Sequence, residues 1–221
     1  MISLRVSPTQ WNEQFRRQLQ EHTVIPEWAV GQGQSYVRMK GLDSWVRENV
    51  RSLIDATHTQ HRIDEIYIQA TPEMIIRDRD PCIVTFCILL EIGQGHLIYG
   101  VQREGIADAK LPIAPGLLEE TFMRIDEHHG AVFAQRFHEA QWKYCPLIFD
   151  SNIDKNFPAE QVFPICRKRE IGRGGQARVF QILVQEEYVT PNLVGRLAKD
   201  EHTRIEDNKF GWVSQHYLES S

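Results

Sequence analysis

No apolar run in the sequence is long enough to cross a bilayer. The longest, residues 82 to 90 (CIVTFCILL), is interrupted by Thr85 and closed by Glu91, whereas a spanning helix needs about 20 apolar residues. The opening MISLRVSPTQW has no apolar stretch leading to a small-residue cleavage site, so no signal peptide is expected. Both absences point to a cytoplasmic protein without a membrane partner. Excess positive charge is also missing. The formal charge is −5, which argues against a general nucleic-acid binder, because phosphate contacts need clustered cations. Cysteine is sparse, with four residues and no C-x-x-C pair. Cys82 and Cys87 sit inside the apolar run, where a free thiol behaves as a small hydrophobe, and reduced buried thiols are expected. The nine histidines include no H-E-x-x-H and do not fall at ligand spacing around the thiols, so no metal site is expected.

What remains is ordinary globular composition, 42% hydrophobic and 25% charged. That excludes disorder, collagen and coiled coil as descriptions of the whole chain. Ser7, Pro8 and Gln10 read as an N-cap, a first-turn proline and a capping-box partner. Trp11, Phe15 and Leu19 follow at a spacing of four, one stripe of a helix. Pro26 and the GQG at Gly31 to Gly33 end that unit. A second amphipathic helix begins near Leu42, with Val46, Val50, Leu53 and Ile54 on one face and Arg47, Glu48, Arg51 and Asp55 on the other.

The apolar run after Pro81 predicts a central buried helix, with a buried strand as the alternative given its Ile, Val and Phe content. Residues 97 to 101 suit strand or helix equally. Leu117, Leu118, Thr121, Phe122 and Ile125 form another helical stripe, ended by His128, His129 and Gly130. A last helix carries Val132, Phe133, Phe137 and Ala140 and stops at Pro146. Trp11, Trp45, Phe122, Phe133, Phe137 and Trp142 are expected in the core rather than around a cofactor. Glu119 with Glu120, and Asp126 with Glu127, sit where acids are comfortable on helices, so they are not taken as a catalytic pair.

Residues 1–149 therefore read as a helical domain of unassigned function. Residues 150–162 are polar and turn-rich and suit a linker. Ile165, Ile171, Val179, Phe180, Ile182, Leu183 and Val184 then favour strands interrupted by glycine. Residues 171–180 spell I-G-R-G-G-Q-A-R-V-F, a G-x-G-x-x-A-x-V pattern. A tight turn between two strands brings backbone amides over phosphates, and glycine leaves no Cβ in the way. A dinucleotide fold would follow such a loop with a helix. Here residues 178 to 186 favour a strand, which is the arrangement of a kinase glycine-rich loop. An ordinary glycine-bearing hairpin is the alternative. Arg167, Lys168, Arg169, Arg173 and Arg178 surround one acid, Glu170. This cluster suits a solvated edge strand better than a phosphate contact.

The chain resembles a group of fungal protein-kinase-like proteins, in which a helical amino-terminal region runs into a Ser/Thr-type kinase domain. The resemblance spans about residues 80 to 185. It rests on Leu89-Leu90-Glu91-Ile92-Gly93, Gly105-Ile106-Ala107-Asp108, Leu111-Pro112, Phe137, Gln141-Trp142-Lys143, Pro146, Phe163-Pro164-Ile165 and the glycine-rich loop. It implies ATP-facing positions at Ile171, Gly172, Gly174, Ala177 and Val179, with ATP and Mg²⁺ as cofactors of the complete kinase. Lys199 is the candidate third-strand lysine, although Ala198 adjoins it where V-A-I-K has an intervening residue; a surface lysine is the alternative.

The sequence contains no H-R-D, D-F-G or A-P-E, the motifs that supply base and metal ligands. The expected architecture is α+β overall: a mainly α amino-terminal domain, then a small β segment at residues 163–187 resembling the first strands of a kinase N-lobe. The tail, residues 188–221, has no assignable motif and is expected to be disordered or an insert ahead of a third strand. The resemblance implies a fragment of a protein-kinase-like protein, catalytically inactive alone. The alternative is a protein-interaction module, binding partners through its helical domain, with a vestigial nucleotide loop.

Overall fold

The spacing-four stripe of Phe15 and Leu19 is the buried edge of α1 (Pro8–His22). The computed structural model describes residues 8–26, 35–60, 68–150, 156–174, 177–197, 204–206 and 209–217. Ser7 and Gly31 to Gly33 lie outside them. The described chain forms two compact units, Met1–Thr23 with Val37–Cys145, and Val24–Tyr36 with Pro146–Ser221. Its class is α+β, and it is mostly helical.

In the first unit, α2 (Met39–Gln60) packs along α1 and buries the face bearing Leu42, Val46, Val50, Leu53 and Ile54. The short strands β1 (Thr23–Val24) and β2 (Tyr36–Val37) pair where the chain leaves and rejoins this unit. The one-turn helix α3 (Pro72–Ile75) precedes α4 (Ile83–Glu91). The run after Pro81 is thus a helix, not a strand, and seven of its nine residues are buried. A helix apolar on every side has no solvent face to present and becomes the centre about which the others pack. Residues 97 to 101, open between helix and strand, complete a 3₁₀ turn and enter α5 (Ile98–Arg103). The hairpin of α6 (Pro115–Ile125) and α7 (Gly130–Tyr144) closes the core. Phe122 and Phe137 are fully buried there, with ring centroids 5.7 Å apart. Trp11, Trp45 and Phe133 pack on the core's margin. Trp142 is half-buried and meets His138 edge-on at 5.9 Å.

Two polar side chains hold this apolar body in register. Asp108 reaches the start of α4, where its carboxylate accepts the Val84 amide at 3.0 Å, the Thr85 amide at 2.9 Å and the Thr85 hydroxyl at 3.0 Å. It serves as the helix cap, because the residue at the cap position, Cys82, makes no side-chain cap bond. Gln141, fully buried, clamps Ile113 from both sides. Its Oε1 accepts the Ile113 amide at 2.7 Å, and its Nε2 donates to the Ile113 carbonyl at 2.9 Å. Glu91 accepts from Lys143 and, at 2.8 Å, from the Tyr144 hydroxyl, tying the end of α4 to α7.

The second unit takes in described residues of both the expected linker and the expected tail. The unit begins at Pro146, and Leu147 N–H donates to the Val162 carbonyl at 2.8 Å. Phe149 and Val162 are buried, and Phe149 bridges Val189. Phe149 and Val162, flanking the polar stretch, are held in this way; residues 151–155 lie outside the described residues. Described residues of the tail form regular structure as well. It contains α8 (Pro191–Leu197), β5 (Arg204–Glu206) and β6 (Lys209–Tyr217). These complete a four-stranded antiparallel sheet of order β3-β4-β6-β5, in which β3 is Ile165–Gly174 and β4 is Ala177–Gln185. A lone two-stranded hairpin is marginal in water. Pairing β4 on both edges with β3 and β6 satisfies its backbone on each side.

Candidate functional site

The β3–β4 hairpin holds every candidate position except Lys199. Its ladder runs from Ile165 opposite Val184 to Gly174 opposite Ala177, leaving a two-residue connection. Those two residues, Gly175 and Gln176, lie outside the described residues. The register shifts between Glu170 and Gly172, so Ile171 is the extra, bulged residue, 48% exposed. Gly172 stands opposite Val179, and a Cβ built on Gly172 would lie 3.8 Å from that of Val179, an ordinary contact. The backbone at Gly172 is not left-handed, a conformation confined among the described glycines to Gly93 and Gly105. Neither conformation nor crowding therefore requires glycine at 172. Its effect is to leave the strand bare beside Val179.

Alternation along β4 separates the hairpin's two faces. Arg178, Phe180, Ile182 and Val184 share one, and the last three are buried. Their partners across the ladder, Arg173, Glu170 and Lys168, stand on that same face. Glu170 lies 3.3 Å from Arg173 Nε and 4.0 Å from Arg178, between two like charges that face each other directly. Lys168 Nζ sits 4.1 Å from the Phe180 ring centroid, a cation–π placement. The other face carries Gly172 and Val179, with Arg169 opposite Gln181 and Arg167 opposite Leu183. The basic cluster is thus divided between two faces, and the Gly172–Val179 pair stands apart from the Arg173–Glu170–Arg178 group.

Lys199 lies outside the described residues. The strand that pairs with β4 on the side away from β3 is β6, which starts later, at Lys209 opposite Gln185. The third strand in the sheet therefore has its one lysine at its first position. Its sequence, KFGWVSQHY, is rich in β-favouring Phe, Trp, Val and Tyr. That composition is the signal by which the strand could have been found within the tail.

A nucleotide held here would meet the hairpin only in part. The bare Gly172–Val179 face suits a flat apolar base and close backbone approach. Between them β3 and β4 carry one carboxylate, Glu170, already between two arginines. Magnesium would have to be held by the phosphates and by groups outside the hairpin. Among the described residues no group of three or more His, Cys, Asp or Glu is placed to hold a metal.

Other candidates resolve into structural roles. Glu120 pairs with Arg124 within α6. Asp126 accepts the His128 and His129 amides, both at 3.0 Å, just before α7. Burial works against its charge, but those bonds prevail and hold its carboxyl below the usual range. None of the four cysteines forms a disulfide. Burial pushes the Cys82 thiol up to about 11 and that of Cys145 up to about 12, so neither is a ready thiolate. In the second unit, Tyr36 is buried with its hydroxyl 3.2 Å from Cys166 Sγ and its ring edge-on to Tyr188 at 5.5 Å. Comparison of the chain with protein-family models, curated proteins and solved structures found no match.

Proposed function

We propose that the β3–β4 hairpin is the glycine-rich, nucleotide-facing element of a protein-kinase-like protein, and that its Gly172–Val179 face turns toward ATP. The observation that carries this reading is a glycine that neither backbone conformation nor packing demands, set directly across from a half-buried valine. A bare strand beside an apolar side chain suits a purine ring. The reading draws further support from a third antiparallel strand flanking β4, which gives the hairpin the backing of a sheet. The parent activity is ATP-dependent phosphorylation of Ser/Thr with Mg²⁺. This chain unaided transfers no phosphoryl group, because H-R-D and D-F-G are missing from its sequence. The test is a titration of the chain with Mg-ATP, following the amides of Gly172, Gly174 and Val179, together with a phosphotransfer assay. Saturable shifts at those amides with no phosphotransfer support the reading; phosphorylation of any substrate by the pure chain overturns the inactive assignment.

A second reading is favoured by the helical unit's core, whose buried cluster lies wholly between Phe15 and Tyr144. A core closed on itself suits a protein-interaction module that works without the sheet. A cooperative melt of residues 1–150 alone, with specific retention of a protein partner, would favour this reading; aggregation would count against it.

A further inference from the structure

A cavity of about 330 Å³ opens in the helical unit between the 3₁₀ turn at Gly95–Leu97, α5 and the end of α6. That volume is at the lower end of the range for small-molecule sites. Tyr99 and Ile125, both half-buried, supply apolar wall, and Ile68, 56% exposed, stands at its edge. Two guanidinium groups line it. Arg124 is already compensated, by Glu104 at 2.8 Å and by Glu120. Arg103, the last residue of α5, is exposed and makes no ion pair among the described residues. The lining is more polar than apolar, and within it the cavity offers a small apolar wall and one uncompensated planar cation.

We infer that this cavity binds a small monocarboxylate with an apolar body, its carboxylate on Arg103 and its body against Tyr99, Ile125 and Ile68. A guanidinium matches a carboxylate with two parallel bonds. A phosphate dianion fits less well, because the second guanidinium in the lining, Arg124, is already paired with Glu104 and Glu120. This site belongs to the helical unit and is independent of the nucleotide reading.

The test is an amide-resolved NMR titration of the full chain with phenylacetate, with phenethyl alcohol as the neutral counterpart and phenyl phosphate as the dianion. Phenylacetate should give saturable shifts at the amides of residues 97–103 and Ile125. Arg103→Gln should weaken binding by about tenfold, the worth of one charge-assisted contact, while the fold is kept because Arg103 is exposed. Arg136→Gln, at an exposed position on α7, should leave binding unchanged. Phenethyl alcohol should bind about as weakly as phenylacetate binds the Arg103 variant. Absence of phenylacetate shifts at those amides overturns the site. Equal binding by the Arg103→Gln protein overturns the role of Arg103, and tighter binding of phenyl phosphate overturns the ligand class.

Discussion

Asp108→Ala should destabilise the helical unit by about 2 kcal/mol. The carboxylate accepts two backbone amides and one hydroxyl at the first turn of α4, and Thr85 is fully buried. Alanine strands all three donors at a helix end that lacks its own side-chain cap. Loss of a cap costs up to about 2 kcal/mol, and burial of the orphaned donors keeps the cost at that upper end. For a chain of this size the melting temperature should fall by roughly 4–8 °C. The pH dependence separates the charge from the hydrogen bonds. Burial pushes the Asp108 carboxyl above the ordinary range, opposed by the bonds from Thr85 and Val84. The folded state therefore binds this proton more tightly than the unfolded state, whose aspartate titrates near ~4. Between those two values the folded protein holds more protons, so this residue's contribution to stability declines as pH rises through the window. Denaturant midpoints of wild type and Asp108→Asn, measured at stepped acidic pH, should differ with that sign. An alanine variant within about 0.5 kcal/mol of wild type would refute the capping role, and a wild-type-to-Asn difference flat with pH would refute the raised carboxyl.

Gln141→Leu should cost about 2–4 kcal/mol in denaturant unfolding, because it strands both the amide and the carbonyl of Ile113, itself 4% exposed. Gly130→Ala should cost about 1–3 kcal/mol, since the new Cβ would stand 2.5 Å from the backbone of Phe122, which cannot move without parting α6 from α7. Tyr144→Phe removes one hydrogen bond to Glu91 and should lower stability by about 1 kcal/mol, read from the same melts. Glu170→Gln leaves Arg173 facing Arg178 without the carboxylate between them; all three are largely solvated, so the change should stay within about 0.5 kcal/mol.

Periodicity carried most of the helical unit. The stripes through Phe15 and Leu19, through Leu42 to Ile54, and through Leu118 and Phe122 each become a buried face, because a helix in water must hide its apolar side. The run at α4 was ambiguous since a segment buried all round loses its period, and only its neighbours decide between helix and strand. The interactions that fix the core were not legible. Asp108 lies far along the chain from Val84, and Gln141 lies far from Ile113, so neither pairing leaves a local pattern. At the hairpin, β-favouring residues and glycines marked two strands. The bulge at Ile171 and the split of the basic cluster between faces depend on register, which one sequence does not specify. The strand β6 is marked by its Phe, Trp, Val and Tyr content, but it follows a polar stretch, and its pairing with β4 leaves no local pattern.

The central claim is that the Gly172–Val179 face meets a nucleotide. Its most direct test is the Mg-ATP titration of the intact chain, with Gly172→Val alongside wild type. The account predicts saturable shifts at Gly172, Gly174 and Val179 in wild type. It predicts at least about tenfold weaker binding in the variant, whose side chain would fill the bare strand, with the melting temperature retained. No shift at those amides, or equal binding by the folded variant, would contradict it.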